Sequence, residues 1–183
     1  MNLRSFAFLG ALFVISCATF RGHNIDDQEI MSLTLREICN NREPGVFVLS
    51  SATAGVNPAF VPEDLDQATR QSLVQRNRNG VGLPAADACR EKFIVLSAKE
   101  IDDYFEAPAK GGLQERWSAF YERYPDVNGI MTLSLPGYSA QGDAALLQVS
   151  GTCGPLCGNG SFWIFRKEFG RWRVEKATQG WTN

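Results

Sequence analysis

Apolar residues recur at helical spacing from residue 25 to 40, at Ile30, Met31, Leu33, Leu35 and Ile38. Asp26, Asp27 and Glu29 precede them and favour the positive end of a helix. Asn40-Asn41 and Pro44-Gly45 end that segment. Val46 to Leu49 is a short apolar run, read as a buried strand, and 50–62 as a loop. Glu63 to Asn77 is a polar helix with Leu65, Ala68 or Thr69, and Leu73 on one side. A loop with Gly80, Gly82 and Pro84 leads to a second short strand, Phe93 to Leu96. Ser97-Ala98-Lys99-Glu100 has the spacing of a capping box, opening a helix that turns Ile101, Tyr104 and Phe105 inward. Leu113, Trp117, Phe120 and Tyr121 place another helix over 113–124, stopped by Pro125.

From Gly129 the period changes from helical to two. Segments 130–135, 144–152, 161–168 and 171–177 read as four antiparallel strands, with Phe169-Gly170 as a tight turn. Helices first and strands last predict an α+β fold: N-terminal helices packed on one face of a C-terminal four-stranded antiparallel meander.

The N-terminus has a pattern of its own. A short positive start, Met1 to Arg4, precedes ten apolar residues, Phe6 to Ile15. A bilayer span needs about 20 apolar residues, so this run reads as a secretory signal peptide. Val14-Ile15-Ser16-Cys17 closes it and resembles the lipobox of bacterial lipoproteins. The resemblance implies cleavage after Ser16, a lipid anchor on Cys17, and Ala18 as a weak pointer to the outer membrane. The expected organisation is a signal peptide over 1–16, a lipidated tether over 17–24 and a single domain over 25–183. The expected location is the cell envelope, facing the periplasm.

Removing 16 of the 183 residues leaves 167, which suits one domain. Apolar content of 44% and charged content of 21% are ordinary for a globular chain. The formal net charge of −2, with no basic stripe, argues against a nucleic-acid partner. The sole histidine, His23, falls in the tether. That disfavours a histidine triad or a histidine-rich zinc site in the domain.

Chemistry concentrates in "TCGPLCGNG", residues 152–160. With Cys17 acylated, Cys39, Cys89, Cys153 and Cys157 remain, and an even count outside the cytoplasm points to disulfides. The favoured pairs are Cys153–Cys157 and Cys39–Cys89. On chain entropy the short ring contributes roughly 2 kcal/mol and the long one, closing about 51 residues, roughly 4 kcal/mol. A redox centre favours Cys-x-x-Cys spacing or a neighbouring cation, and zinc needs four ligands. The staple therefore leads, and no metal or cofactor is expected. The last 70 or so residues also resemble a group of bacterial proteins with a Cys-Gly-x-Leu-Cys-Gly-x-Gly loop. The shared pattern includes Trp117, Phe120, Tyr124-Pro125, Gly129-Ile130, Lys167, Gly170-Arg171-Trp172 and Trp181. That resemblance implies a fold and no activity.

The leading expectation is a non-enzymatic binding or structural role, with an envelope protein or glycan as partner and the membrane held through Cys17. The candidate binding surface is Gly154, Leu156, Gly158, Asn159 and Gly160, with Trp163 and Trp172 beside it. Core packing is the competing role for these tryptophans. Two alternatives stand. One is a histidine-free hydrolase of envelope polysaccharide using Glu100, Asp102, Asp103 and Glu106. The other is a thiol redox protein at Cys153 and Cys157. Gly137-Tyr138-Ser139-Ala140-Gln141 mimics a nucleophile elbow but lacks its last glycine.

Overall fold

A computed structural model describes residues 18–40, 45–83, 90–105 and 112–182. In chain order the elements are α1 (Ala18–Asn40), β1 (Val46–Ser50), α2 (Gln67–Arg76), β2 (Phe93–Leu96), α3 (Ala98–Phe105) and α4 (Leu113–Arg123). Then follow β3 (Val127–Leu133), β4 (Gly137–Tyr138), β5 (Ala144–Gly154), β6 (Cys157–Glu168) and β7 (Arg171–Thr182). Short 3₁₀ turns lie at Pro58–Phe60 and Arg90–Lys92.

The α+β class stands, and the four-stranded meander is corrected. All seven strands form one mixed sheet in the order β2-β1-β3-β5-β6-β7, with β4 on β5. β1 runs parallel to both neighbours, β2 and β3, while the strands from β3 onward are antiparallel. The apolar runs at 46–49 and 93–96 are strands, as their composition predicts. Which strands they pair with is a long-range matter that periodicity does not encode. Parallel neighbours need crossovers of a dozen or more residues. Here α2 lies within the β1–β2 crossover, and α3 with α4 carries the chain from β2 to β3.

The helices cover both faces, not one. On the first face α1 lays Ile30, Met31 and Leu35 over Leu49, Leu133, Leu147, Trp163, Phe165 and Trp172. On the second, α3 and α4 pack Tyr104, Phe105, Trp117 and Phe120 on Val48, Leu96 and Ile130. α2 covers the rest of that face, setting Leu73 against Leu146, Phe162 and Ile164. The assignment follows from register. Ile130 opposes Thr152, and Leu146 has the same parity in β5 as Thr152, whereas Leu147 points the other way. Both faces of the sheet are thus apolar, each fully buried large side chain being worth roughly 1.5–3 kcal/mol.

Some local signals that need no distant partner are realised as read, and others shift. Ser97 Oγ accepts from the Glu100 backbone N–H at 3.1 Å, and a Glu100 carboxylate oxygen accepts from the Ser97 N–H at 2.7 Å. Asp66 caps α2, accepting from the Thr69 N–H at 2.9 Å, so that helix starts four residues after Glu63. Phe169 and Gly170 both adopt positive φ, 50° and 79°, the geometry a two-residue hairpin turn needs. Leu113, expected inward, is exposed. Gly137, first residue of the false elbow, leaves room for α2: a Cβ there would sit 2.3 Å from the Leu73 nitrogen.

Candidate functional site

Residues 152–160 are hairpin rather than loop. Strand β5 continues to Gly154 and β6 begins at Cys157, with Pro155 and Leu156 alone at the turn. Cys153 and Cys157 are disulfide-bonded across it, their Cα atoms 5.1 Å apart. Cys39 is also disulfide-bonded. Cys89, the partner expected for it, lies outside the described residues, as do Cys17 and Glu106. The tip is tied to the body by Tyr121 of α4, whose hydroxyl donates to the Cys153 carbonyl at 3.0 Å. Burial pushes that phenol above its usual range.

The candidate surface residues scatter. Leu156 projects from the tip, 87% exposed. Gly158 and Gly160 form a bed for Trp181: a Cβ on Gly160 would lie 2.1 Å from the indole Nε1, and one on Gly158 3.2 Å from the same ring. Phe60 packs on that ring in turn, with centroids 6.2 Å apart. These glycines therefore serve a close aromatic approach on the second face. Gly154 is half-buried opposite Cys157. Asn159 is exposed on the first face.

Trp163 and Trp172, both on the first face, differ in role. Trp172 is 3% exposed beneath α1; its indole N–H donates to Asp26 at 2.9 Å and its backbone N–H to Glu29 at 3.1 Å. Trp163 edges a cavity of about 250 Å³ near the end of α1, lined also by Ile38, Phe47, Phe93, Met131 and Val149. A second hollow of about 170 Å³ adjoins it, sharing Phe47, Met131 and Val149, and reaches Asn159 and Cys153. Together they make a mostly apolar groove from Trp163 to the disulfide hairpin. Of the candidate surface, Trp163 lines the first hollow of this groove and Asn159 the second.

The carboxylates of α3 face water. Glu100 is held by Ser97, whose hydrogen bonds pull its carboxyl below the usual range, away from a general acid's needs. Asp103 pairs with Lys99 at 2.8 Å, and Asp102 is exposed. Among the described residues no three His, Cys, Asp or Glu side chains gather as metal ligands.

Sequence reasoning missed the polar centre of α1. Asp27, 6% exposed, accepts two hydrogen bonds from the Arg76 guanidinium, at 3.0 and 2.8 Å, and one from the Tyr138 hydroxyl at 2.7 Å. Arg76 also donates to the Pro136 carbonyl and stacks over the Tyr138 ring, 5.1 Å from its centroid. Burial draws the guanidinium down, but the carboxylate outweighs it and holds the proton on. Burial and then the Asp27 charge push the Tyr138 phenol far up. The preceding residue, Asp26, accepts from Lys167 at 2.8 Å as well as from Trp172. No sequence signal joins residues 27, 76 and 138; only folding brings them together.

A further cavity of about 460 Å³ lies between the Pro58–Phe60 turn and α2, flanked by Arg70 and Arg78. Among the described residues no helix is long and apolar enough to cross a membrane. No family model, no curated protein and no solved structure matches this chain.

Proposed function

We propose that this chain is an exported lipoprotein of a bacterial envelope, acylated on Cys17, with a non-enzymatic binding or structural role at the membrane surface. In this reading it faces the periplasm from the outer membrane, and its ligand-facing part is the groove between Trp163 and the disulfide hairpin. One observation carries the proposal: the Cys153–Cys157 bridge, which persists readily only in an oxidising compartment. The bonded state of Cys39 supports the same compartment. The apolar run Phe6–Ile15 ahead of Cys17 supplies the route there.

Metabolic labelling with palmitate tests it. Label is expected on the parent chain and absent from Cys17→Ser, with Cys153 and Cys157 recovered as one linked peptide without reductant. An unlabelled, full-length product whose Cys153 and Cys157 alkylate freely overturns the reading.

A further inference from the structure

Helix α1 runs antiparallel to β6. Asp26, toward its N-terminal end, bonds Lys167 and Trp172, while Ile38, toward the other end, shares a cavity wall with Ser161 and Trp163. The N-terminal end of α1 therefore lies at the end of the sheet that carries the Phe169-Gly170 turn. That end carries two exposed large apolar side chains, where the opposite tip carries Leu156 alone among residues 155–157. Phe169 is 100% exposed, and its positive φ, with that of Gly170, holds the ring beyond the last strand pair, Glu168 with Arg171. Ile25, beside Asp26 on α1, is 68% exposed. A hairpin tip needs no apolar ring for its own stability, so Phe169 lacks an internal reason.

The charges around the tip mostly cancel. Arg166 pairs with Glu175, Lys167 with Asp26 and Arg173 with Glu168. Arg171 is exposed and, among the described residues, forms no ion pair. One apolar ring with one guanidinium beside it matches a bilayer boundary, where aromatic rings sit at headgroup level and cations meet anionic phosphates. Cys17 and the apolar run immediately precede this end of α1 in the sequence.

We propose that the sheet end bearing Phe169, Ile25 and Arg171 rests on the membrane that anchors the chain, fixing the orientation of the domain. This rests on the lipoprotein reading above. The acyl chains supply the affinity; Phe169 and Arg171 select which end faces the lipid. The disulfide hairpin, at the opposite end of β6, is then presented away from the membrane, toward whatever the groove binds.

The test uses the full chain reconstituted in vesicles of phosphatidylethanolamine and phosphatidylglycerol carrying bromine-labelled acyl chains. Tryptophan is introduced singly, as Phe169→Trp or, at the opposite tip, Leu156→Trp. The parent's own emission is subtracted, and the mass of the N-terminal peptide is read from the same sample. Quenching at least about twofold greater for Phe169→Trp is expected, because an apolar face seated at the boundary lies within reach of the acyl chains. Equal quenching at both tips, or more at Leu156→Trp, overturns the orientation. With acyl mass present, the anchor survives that result. If acyl mass is missing and Phe169→Trp is still selectively quenched, the tip contact stands alone and the lipoprotein reading falls. No quenching and no acyl mass overturn both.

Discussion

Helices α1 and α3 each carry a cluster of carboxylates: Asp26, Asp27 and Glu29 in one, Glu100, Asp102 and Asp103 in the other. On paper both are acidic segments near a helix start. In the fold they have little in common. The α1 carboxylates reach across to residues 49 to 146 positions away and fasten the helix to α2 and to the sheet. Those of α3 bond no farther than four residues and face water. The α1 trio meets residues of α2, β4, β6 and β7, and the burial of Asp27 leaves its oxygens in need of partners. α3 buries Tyr104 and Phe105 and leaves its acids to solvent. The lesson is that an acidic cluster acquires its role from whether its own side of the helix is turned to the body of the protein or to water.

The largest test of this contrast is Asp27→Ala. It leaves the Arg76 guanidinium and the Tyr138 hydroxyl without their shared acceptor. We expect a loss of about 3 kcal/mol in urea unfolding, as for a buried ion pair missing one member. Adding Arg76→Met should restore part of it, since the unpaired charge is then gone. A loss no greater than that of an α3 acid would erase the distinction.

Tyr138→Phe should cost less, about 1.5 kcal/mol near neutral pH, for one hydrogen bond to a charged acceptor. It also alters the response to alkali. The folded phenol is raised above its ordinary value of 10.0, so the folded state holds this proton more tightly than the unfolded chain. That contribution is fully present below pH 10 and is lost as pH rises beyond it. The parent should therefore lose stability more steeply in that window than Tyr138→Phe. Parallel slopes would show that the phenol is not held as described.

The smallest effect belongs to Glu100→Ala. It removes one arm of an exposed capping box and should lower the melting temperature less than either change above, while groove and sheet are untouched. A drop matching that of Asp27→Ala would place α3 in a tertiary role that its exposure contradicts.

Element types were largely legible because their causes are local. The capping box, Pro125, the Phe169-Gly170 turn and the apolar spacing of Trp117, Phe120 and Tyr121 each act within a few residues. The candidate site was legible in part. Trp163, Asn159 and the Cys153–Cys157 pair were within view, since cysteine spacing and exposed polar tips are readable. Trp172 was assigned to the same surface because aromatic alternation does not tell which part of a face a helix will cover. Gly158 and Gly160 read as part of a binding surface, whereas Trp181, some twenty residues on, uses the space they leave. The bulges in the β6–β7 pairing help set where that ring lands, and no pattern in the chain announces them.

The residues in order, taken alone, settled the approximate place of most helices and strands, the α+β class, and a chain rich enough in cysteine for cross-links. Those properties depend on backbone preference and periodicity over one or two turns. Tertiary structure alone decided that β1 and β2 extend the sheet in parallel, that helices sit on both of its faces, and that Asp27, Arg76 and Tyr138 share one buried site. Such choices compare the burial of whole surfaces against each other, and that comparison exists only once distant segments have met.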